Sequence, residues 1–240
     1  MVLPLHDDNP SNTRPIVMVA IMVGCVLVFV WQYFLSGSDG VPRIAYALGL
    51  VPAVLFGREQ LPPDLTWVPP AATVITSMFL HGGFLHLAGN MLFLWVFGNN
   101  IEDAMGHARF VVFYLLCGIA AALLQAFLDP ASVLPMIGAS GAISGVLGAY
   151  MLLYPRARVL LGLPIGFFIV QLGRFPAVWV LALWFVLQVV MGAFSAPAVT
   201  TAGEVKGGVA WGAHVGGFIA GMLLIPMFKN RDVPLWRAGR

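Results

Sequence analysis

Charged side chains are scarce in this chain of 240 residues: Asp, Glu, Lys and Arg make up 9% of it, against 60% hydrophobic residues and a mean hydropathy of +0.92. A soluble domain carries about a quarter charged residues, so that class is excluded. Cysteine is almost absent. Cys25 and Cys117 both fall inside apolar runs and read as small core residues rather than a disulfide framework. No basic patch interleaved with aromatics occurs, which excludes a nucleic-acid surface. The H-E-x-x-H signature is missing and the acidic residues lie away from the histidines, so no metal is expected. No nucleotide-binding glycine loop and no internal repeat stand out, and no cofactor is implied.

What is present is a series of long apolar runs. The run 16–35 has Gln32 as its only strongly polar member, and about 20 residues at ~1.5 Å each cross a hydrocarbon core of ~30 Å. It is too long for the core of a signal peptide. Further runs at 84–101, 109–128, 140–154, 176–195 and 208–228, each bounded by charge, proline or a polar cluster, bring the count to six. The stretch 159–172 is also apolar, but Pro164 and two glycines break it. It reads as a re-entrant or interfacial loop rather than a seventh span.

Orientation follows from the basic residues. Six spans place Arg14, Arg109, Arg156, Arg158, Arg174, Lys229, Arg231, Arg237 and Arg240 on one side and only Arg43, Arg58 and Lys206 on the other. Both termini are therefore expected in the cytoplasm. The fold expected is an all-α membrane protein, a six-transmembrane-helix bundle. Residues 1–14 read as a short disordered cytoplasmic tail, 15–228 as the membrane domain and 229–240 as a basic cytoplasmic tail. Within the outer loop 36–83, the section 42–56 is too apolar for free solvation and reads as a broken helix lying on the outer leaflet.

Spans two, four and six all start from the outer side. His86 and Asn90 lie early in span two, Ser140 opens span four, and His214 is a few residues into span six. Polar and ionisable side chains within a membrane cost free energy and mark functional sites. These four, drawn from three helices, share one depth near the outer face. Gly141 and Gly145 on span four, and Gly212, Gly216, Gly217 and Gly221 on span six, let helix backbones approach closely, so these spans are expected to be neighbours. Close backbones bring Ser140 within reach of a His214 ring nitrogen, which points to a serine nucleophile activated by a histidine base.

Three motifs now stand in order: His81-Gly-Gly-Phe-Leu-His86-Leu-Ala-Gly-Asn90, Gly138-Ala139-Ser140-Gly141 and Ala213-His214-Val-Gly-Gly217. In sequence, order and span they resemble the motifs of the rhomboid intramembrane serine proteases, over residues 15–228. The resemblance implies a rhomboid-like bundle with a Ser140–His214 catalytic dyad. It also implies that His86 and Asn90 help bind the oxyanion, and that other proteins' transmembrane helices are the substrates. The residues support the same chemistry: Asn90 Nδ2, a His86 ring N–H and the Ser140 backbone N–H are the donors available for an oxyanion. No Asp or Glu lies near His214 to orient it, so packing is expected to hold the imidazole. Two positions depart from the pattern. Some relatives carry a Trp-Arg pair before span two, where this chain has Pro69 to Thr73 with only Trp67 nearby, and others carry a Tyr where Ser144 stands.

Each residue also has a plainer reading. Ser140 and Ser144 could cap or bond between helices, and His86, Asn90 and His214 could be structural glue. His81 and His107 read as noncatalytic, and Glu102 as either an acidic position resembling the family's or a solvated interfacial charge. Span five and the Gly/Ala-rich loop after it are the candidate gate. The competing function is a noncatalytic rhomboid-like protein that binds transmembrane segments. Partners are transmembrane proteins and membrane lipid, with oligomeric state open. Short tails without a targeting extension point to a bacterial inner membrane, with the site opening outward.

Overall fold

The computed structural model describes residues 2–37, 40–166, 168–194 and 209–236. Helix α1 (Ile16–Val30) is prolonged by a π-helical turn at Trp31–Leu35. After it come the short helices α2 (Gly40–Leu48), α3 (Pro52–Leu55) and α4 (Thr73–Thr76), then the long α5 (Phe84–Met105) and α6 (His107–Leu128). The chain continues through α7 (Ser140–Leu153), α8 (Ala177–Phe194) and α9 (Trp211–Phe228). Four stretches, Ile16–Phe34, His107–Leu128, Ala177–Phe194 and Trp211–Phe228, are long and apolar enough to cross a membrane. The bent pair Pro63–Phe79 and Phe84–Met105 makes a fifth if taken together.

The expected boundaries shift where local chemistry intervenes. Span two continues past residue 101 to Met105, and α6 begins at once after Gly106, whose φ of 82° lets a single residue reverse the chain. Helix α7, expected as span four, has only 14 residues, so it rises about 21 Å, falls short of a ~30 Å hydrocarbon core and is not among the stretches long enough to cross. It is also the centre of the bundle. Every residue from Gly141 to Tyr150 is buried, and α5, α6, α8 and α9 surround it.

Glycine makes the tightest of these contacts possible. A Cβ on Gly217 would overlap the Gly141 carbonyl, and one on Gly221 the Gly145 carbonyl. Lipid tails are as apolar as leucine, so helices gain by dispersion at close range rather than by hydrophobic burial.

The architecture is not purely helical. Strands β1 (Leu3–Asp7), β2 (Arg158–Ile165) and β3 (Phe168–Pro176) form an antiparallel sheet in the order β1-β2-β3, with Leu3 opposite Gly162 and Asp7 opposite Val159. The expected loop at 159–172 is therefore a hairpin. Period-2 alternation is hidden because Ile165, Phe168, Ile169 and Val170 at its tip are exposed whichever face they occupy. The expected disorder of residues 1–14 is overturned too. β2 satisfies the backbone of β1, the Tyr150 hydroxyl donates to Asp7 Oδ2, and Asp8 Oδ1 accepts the Arg158 N–H at 2.7 Å. The segment after α9 is not a free tail either: Asn230 N–H donates to the Ala104 carbonyl and Trp236 N–H to that of Leu152. Residues 237–240 lie outside the described residues, as does most of the loop named as part of the gate.

The end of the bundle that holds both termini carries a dense polar network. Glu102 is fully buried and its two oxygens accept the N–H groups of Val17 at 2.9 Å and Met18 at 2.7 Å, orphan donors of the first turn of α1. His107 Nδ1 bonds the same carboxylate. The solvated reading of Glu102 is thus overturned: a helix N-terminus holds its negative charge. Asp103 likewise accepts from the backbone N–H and the side chains of Asn12 and Thr13.

At the opposite end, α2 and α3 are two short helices within residues 36–83. The loop is anchored without the Trp-Arg pair. Leu50 and Met136 exchange backbone hydrogen bonds, Thr76 Oγ1 donates to the Leu48 carbonyl, and Trp67 Nε1 donates to that of Asp64 at 2.9 Å.

Candidate active site

Ser140 is the first residue of α7, so its backbone N–H has no partner within the helix and points with the positive end of the helix dipole. Just before it, Gly138 has φ 133°, a conformation few side chains tolerate, and a Cβ there would collide with the His86 ring at Nε2. His214 lies in the first turn of α9, whose entry is fixed by the Ala213 N–H donating to Gln125 Oε1 at 3.3 Å. The close packing of α7 on α9 brings the two together. His214 Nε2 lies 2.8 Å from Ser140 Oγ.

Around this pair stand groups the sequence singled out. His86 Nδ1 accepts the Gly82 N–H at 3.3 Å, which leaves the proton of the neutral ring on Nε2, the nitrogen that faces Gly138. Asn90, one turn further along α5, is buried and its Nδ2 has no hydrogen-bond partner. A buried amide N–H without a partner is costly. Ser144 Oγ donates to the Ser140 carbonyl at 2.6 Å, a structural bond within α7. His81 is buried, its N–H donates to Gln32 Oε1 at 3.1 Å, and its ring meets the His86 ring edge-on at 5.2 Å.

Three residues near the histidine were missed. Gln188 Oε1 lies 2.7 Å from His214 Nδ1, so packing alone does not hold the imidazole. The Trp184 ring lies 5.8 Å from the imidazole and Trp211 meets it edge-on at 6.1 Å; with Ser144 in place of Tyr, these are the rings that pack on it. A signal for Gln188 was there: it is the only strongly polar side chain in the 18 residues of α8. The expectation that nothing but packing orients His214 is corrected accordingly.

A cavity of about 20 Å³ lies beside Ser140, lined by Ser77, Gly138 and Ala210 among others, and that is room for one water. A larger cavity of about 330 Å³ is lined by residues between Ala47 and Thr73 and contains none of these residues. Hydrogen-bond geometry, not cavity size, marks the site. Among the described residues no cluster of three His, Cys, Asp or Glu side chains could hold a metal.

An integral multi-pass membrane protein with a hydroxyl bonded to an imidazole inside its bundle is thus what fold and site define. The Rhomboid domain family matches residues 70–231. Over 266 aligned positions the chain is 31% identical to "Rhomboid protein 1, mitochondrial" of Saccharomyces cerevisiae, covering 97% of this chain and 69% of the yeast protein. Over 78 residues it is 41% identical to "Rhomboid protease GluP" of Bacillus subtilis and 37% identical to "RHOMBOID-like protein 5" of Arabidopsis thaliana. Those matches cover 32% of this chain and only 15% and 25% of the respective relatives. The chain belongs to the rhomboid family.

Proposed function

We propose that this protein is an intramembrane serine endopeptidase that hydrolyses peptide bonds in or near transmembrane segments of other membrane proteins. The observation that carries the reading is the 2.8 Å contact between Ser140 Oγ and His214 Nε2. His214 takes the Ser140 proton as Oγ attacks the peptide carbonyl, and returns it to the leaving amine as the C–N bond breaks. Water then repeats the sequence on the acyl-enzyme, with His214 again as base. The carbonyl oxygen becomes negative in each half. The Ser140 N–H, Asn90 Nδ2 and His86 Nε2–H are the candidate donors for it, and one such donor is worth about 3–4 kcal/mol in the transition state. A substrate helix hides its carbonyls in its own hydrogen bonds, so cleavage favours segments with Gly, Pro or other weak helix formers. No metal or cofactor has a part in this chemistry.

The reading includes six spans, with 15–228 as the catalytic membrane domain and both termini cytoplasmic. The nine-to-three distribution of basic residues supports that orientation. α7 then counts as a span despite its length. Being short, it starts Ser140 below the outer surface yet close enough for a water-filled approach. The relatives named with a compartment are mitochondrial, so the expected bacterial inner membrane is not supported.

The test is cleavage of a reporter transmembrane segment in proteoliposomes by wild type, Ser140→Ala and His214→Ala, each shown to be inserted and folded. Cutting lost in both variants supports the dyad. Cutting that survives Ser140→Ala removes it, and a folded wild type that binds but never cuts Gly- or Pro-containing segments makes the protein a noncatalytic binder of transmembrane helices.

A further inference from the structure

Gln188 is the one buried polar side chain of α8, a helix that otherwise buries only Ala177 and Leu181. An amide there costs free energy unless it finds partners. It finds two. Nε2 donates to the Trp184 carbonyl at 3.3 Å and Oε1 lies 2.7 Å from His214 Nδ1. A backbone carbonyl only accepts, so the NH2 end of the amide must face Trp184 and the oxygen must face His214. Nδ1 must then carry the imidazole proton. That leaves Nε2 with its lone pair toward Ser140 Oγ, the form a general base requires.

We propose that Gln188 is a positioning residue: from α8 it holds His214 as the Nδ1–H tautomer and, through its carbonyl dipole, steadies the imidazolium formed when Ser140 gives up its proton. It takes the place that a buried carboxylate takes in a Ser-His-Asp triad. A neutral amide does this without bringing an unpaired charge into a helix whose other side chains are apolar. The orienting bond also ties turnover to the seat of α8. Moving α8 little more than about 1 Å from α9 stretches the contact beyond a useful hydrogen bond, so the base is correctly oriented only while the helix is docked.

The inference rests on the protease reading, and the experiment separates the two. Full-length wild type, Gln188→Met and Gln188→Glu are compared for reporter cleavage in proteoliposomes, for thermal unfolding, and for the tautomer of His214 by 15N NMR of histidine-labelled protein. Met is similar in size but accepts no strong hydrogen bond. Gln188→Met is expected to lower kcat by about 10- to 100-fold with KM within about twofold, and to turn a single Nδ1–H signature into a mixture. Gln188→Glu, which keeps the acceptor, is expected to recover most of kcat. A Gln188→Met variant that keeps wild-type kcat overturns the proposal. So does one that loses activity only in step with its unfolding temperature while the His214 signature stays unchanged, since that is the behaviour of interhelical glue. A wild type with no Ser140-dependent cleavage sinks the protease reading alone, because the tautomer measurement still decides what Gln188 does to the ring.

Discussion

Two polar regions sit at opposite ends of one apolar bundle, and they differ in which groups have found partners: at the termini end the carboxylates are filled, while Asn9 Nδ2, Asn99 Oδ1 and Asn100 Oδ1 stay buried without partners. At the termini end, all four carboxylate oxygens of Glu102 and Asp103 have donors, drawn from α1, from the segment before it and from His107. At the end that holds Ser140 and His214, Asn90 Nδ2, a donor, and His81 Nε2, left an acceptor because its Nδ1 bonds the Phe79 carbonyl, are buried without partners. Satisfied carboxylates lock α1 to α5 and serve the fold. On the proposed function, the idle Asn90 donor is there to meet the oxyanion of a peptide under attack.

Substitutions at the two ends break this contrast in opposite ways. The largest effect is expected from Ser140→Ala, which should lower turnover of a reporter segment by at least about 10³-fold while thermal unfolding stays near that of wild type. Parallel losses of both would place Ser140 with the structural groups. Asn90→Ala should lower kcat by about 10²- to 10³-fold, or ~3–4 kcal/mol in the transition state. Because its Nδ2 has no partner, the same change should leave stability unaltered or raised, and a fall of several kcal/mol in unfolding free energy would show that Asn90 holds the bundle together.

Glu102→Ala should do the reverse. It orphans the N–H groups of Val17 and Met18 in a buried setting, so a loss of about 3 kcal/mol is expected. Turnover by the molecules that remain folded should be close to wild type, as judged by titrating folded active sites.

The smallest and most conditional effect concerns Asp7, where burial outweighs the Tyr150 hydrogen bond and pushes the carboxyl up to about 6. A raised carboxyl favours the protonated form in the folded state. Its stabilising contribution is complete below about pH 4, near the unfolded value, and is lost as pH rises through about 6. Asp7→Asn should flatten the pH dependence of unfolding in that window by no more than about 3 kcal/mol, leaving activity unchanged. An unaltered pH slope would mean that β1 detaches before the bundle melts.

The sequence made the helical spans legible because each apolar run is long and the runs are separated by charge or proline. It made Ser140 and His214 legible because hydroxyl and imidazole groups stand out against such runs. The sheet was not legible. β1 lies in a polar stretch that reads as disorder, and its strand form exists only because β2 meets its backbone groups more than 150 residues later. The hairpin failed for the opposite reason, since a strand apolar on both faces has no alternation to read.

Gln188 lies between these cases. Its type was conspicuous on α8, but no spacing rule connects it to His214, which lies 26 residues away on another helix. The partners of Glu102 were hidden likewise, because a backbone N–H carries no signature in sequence.

The amino-acid sequence by itself determined that this chain lives in a membrane, where its long apolar runs lie and which side chains are chemically out of place in them. Hydropathy and residue type are properties of short segments, so they survive without any knowledge of the fold. Only the tertiary structure decided which misplaced side chains meet, which carboxylates are satisfied, and that an amide on α8 reaches the imidazole on α9. A hydrogen bond depends on tenths of an ångström between atoms distant in the chain, and it is helix packing that sets those distances.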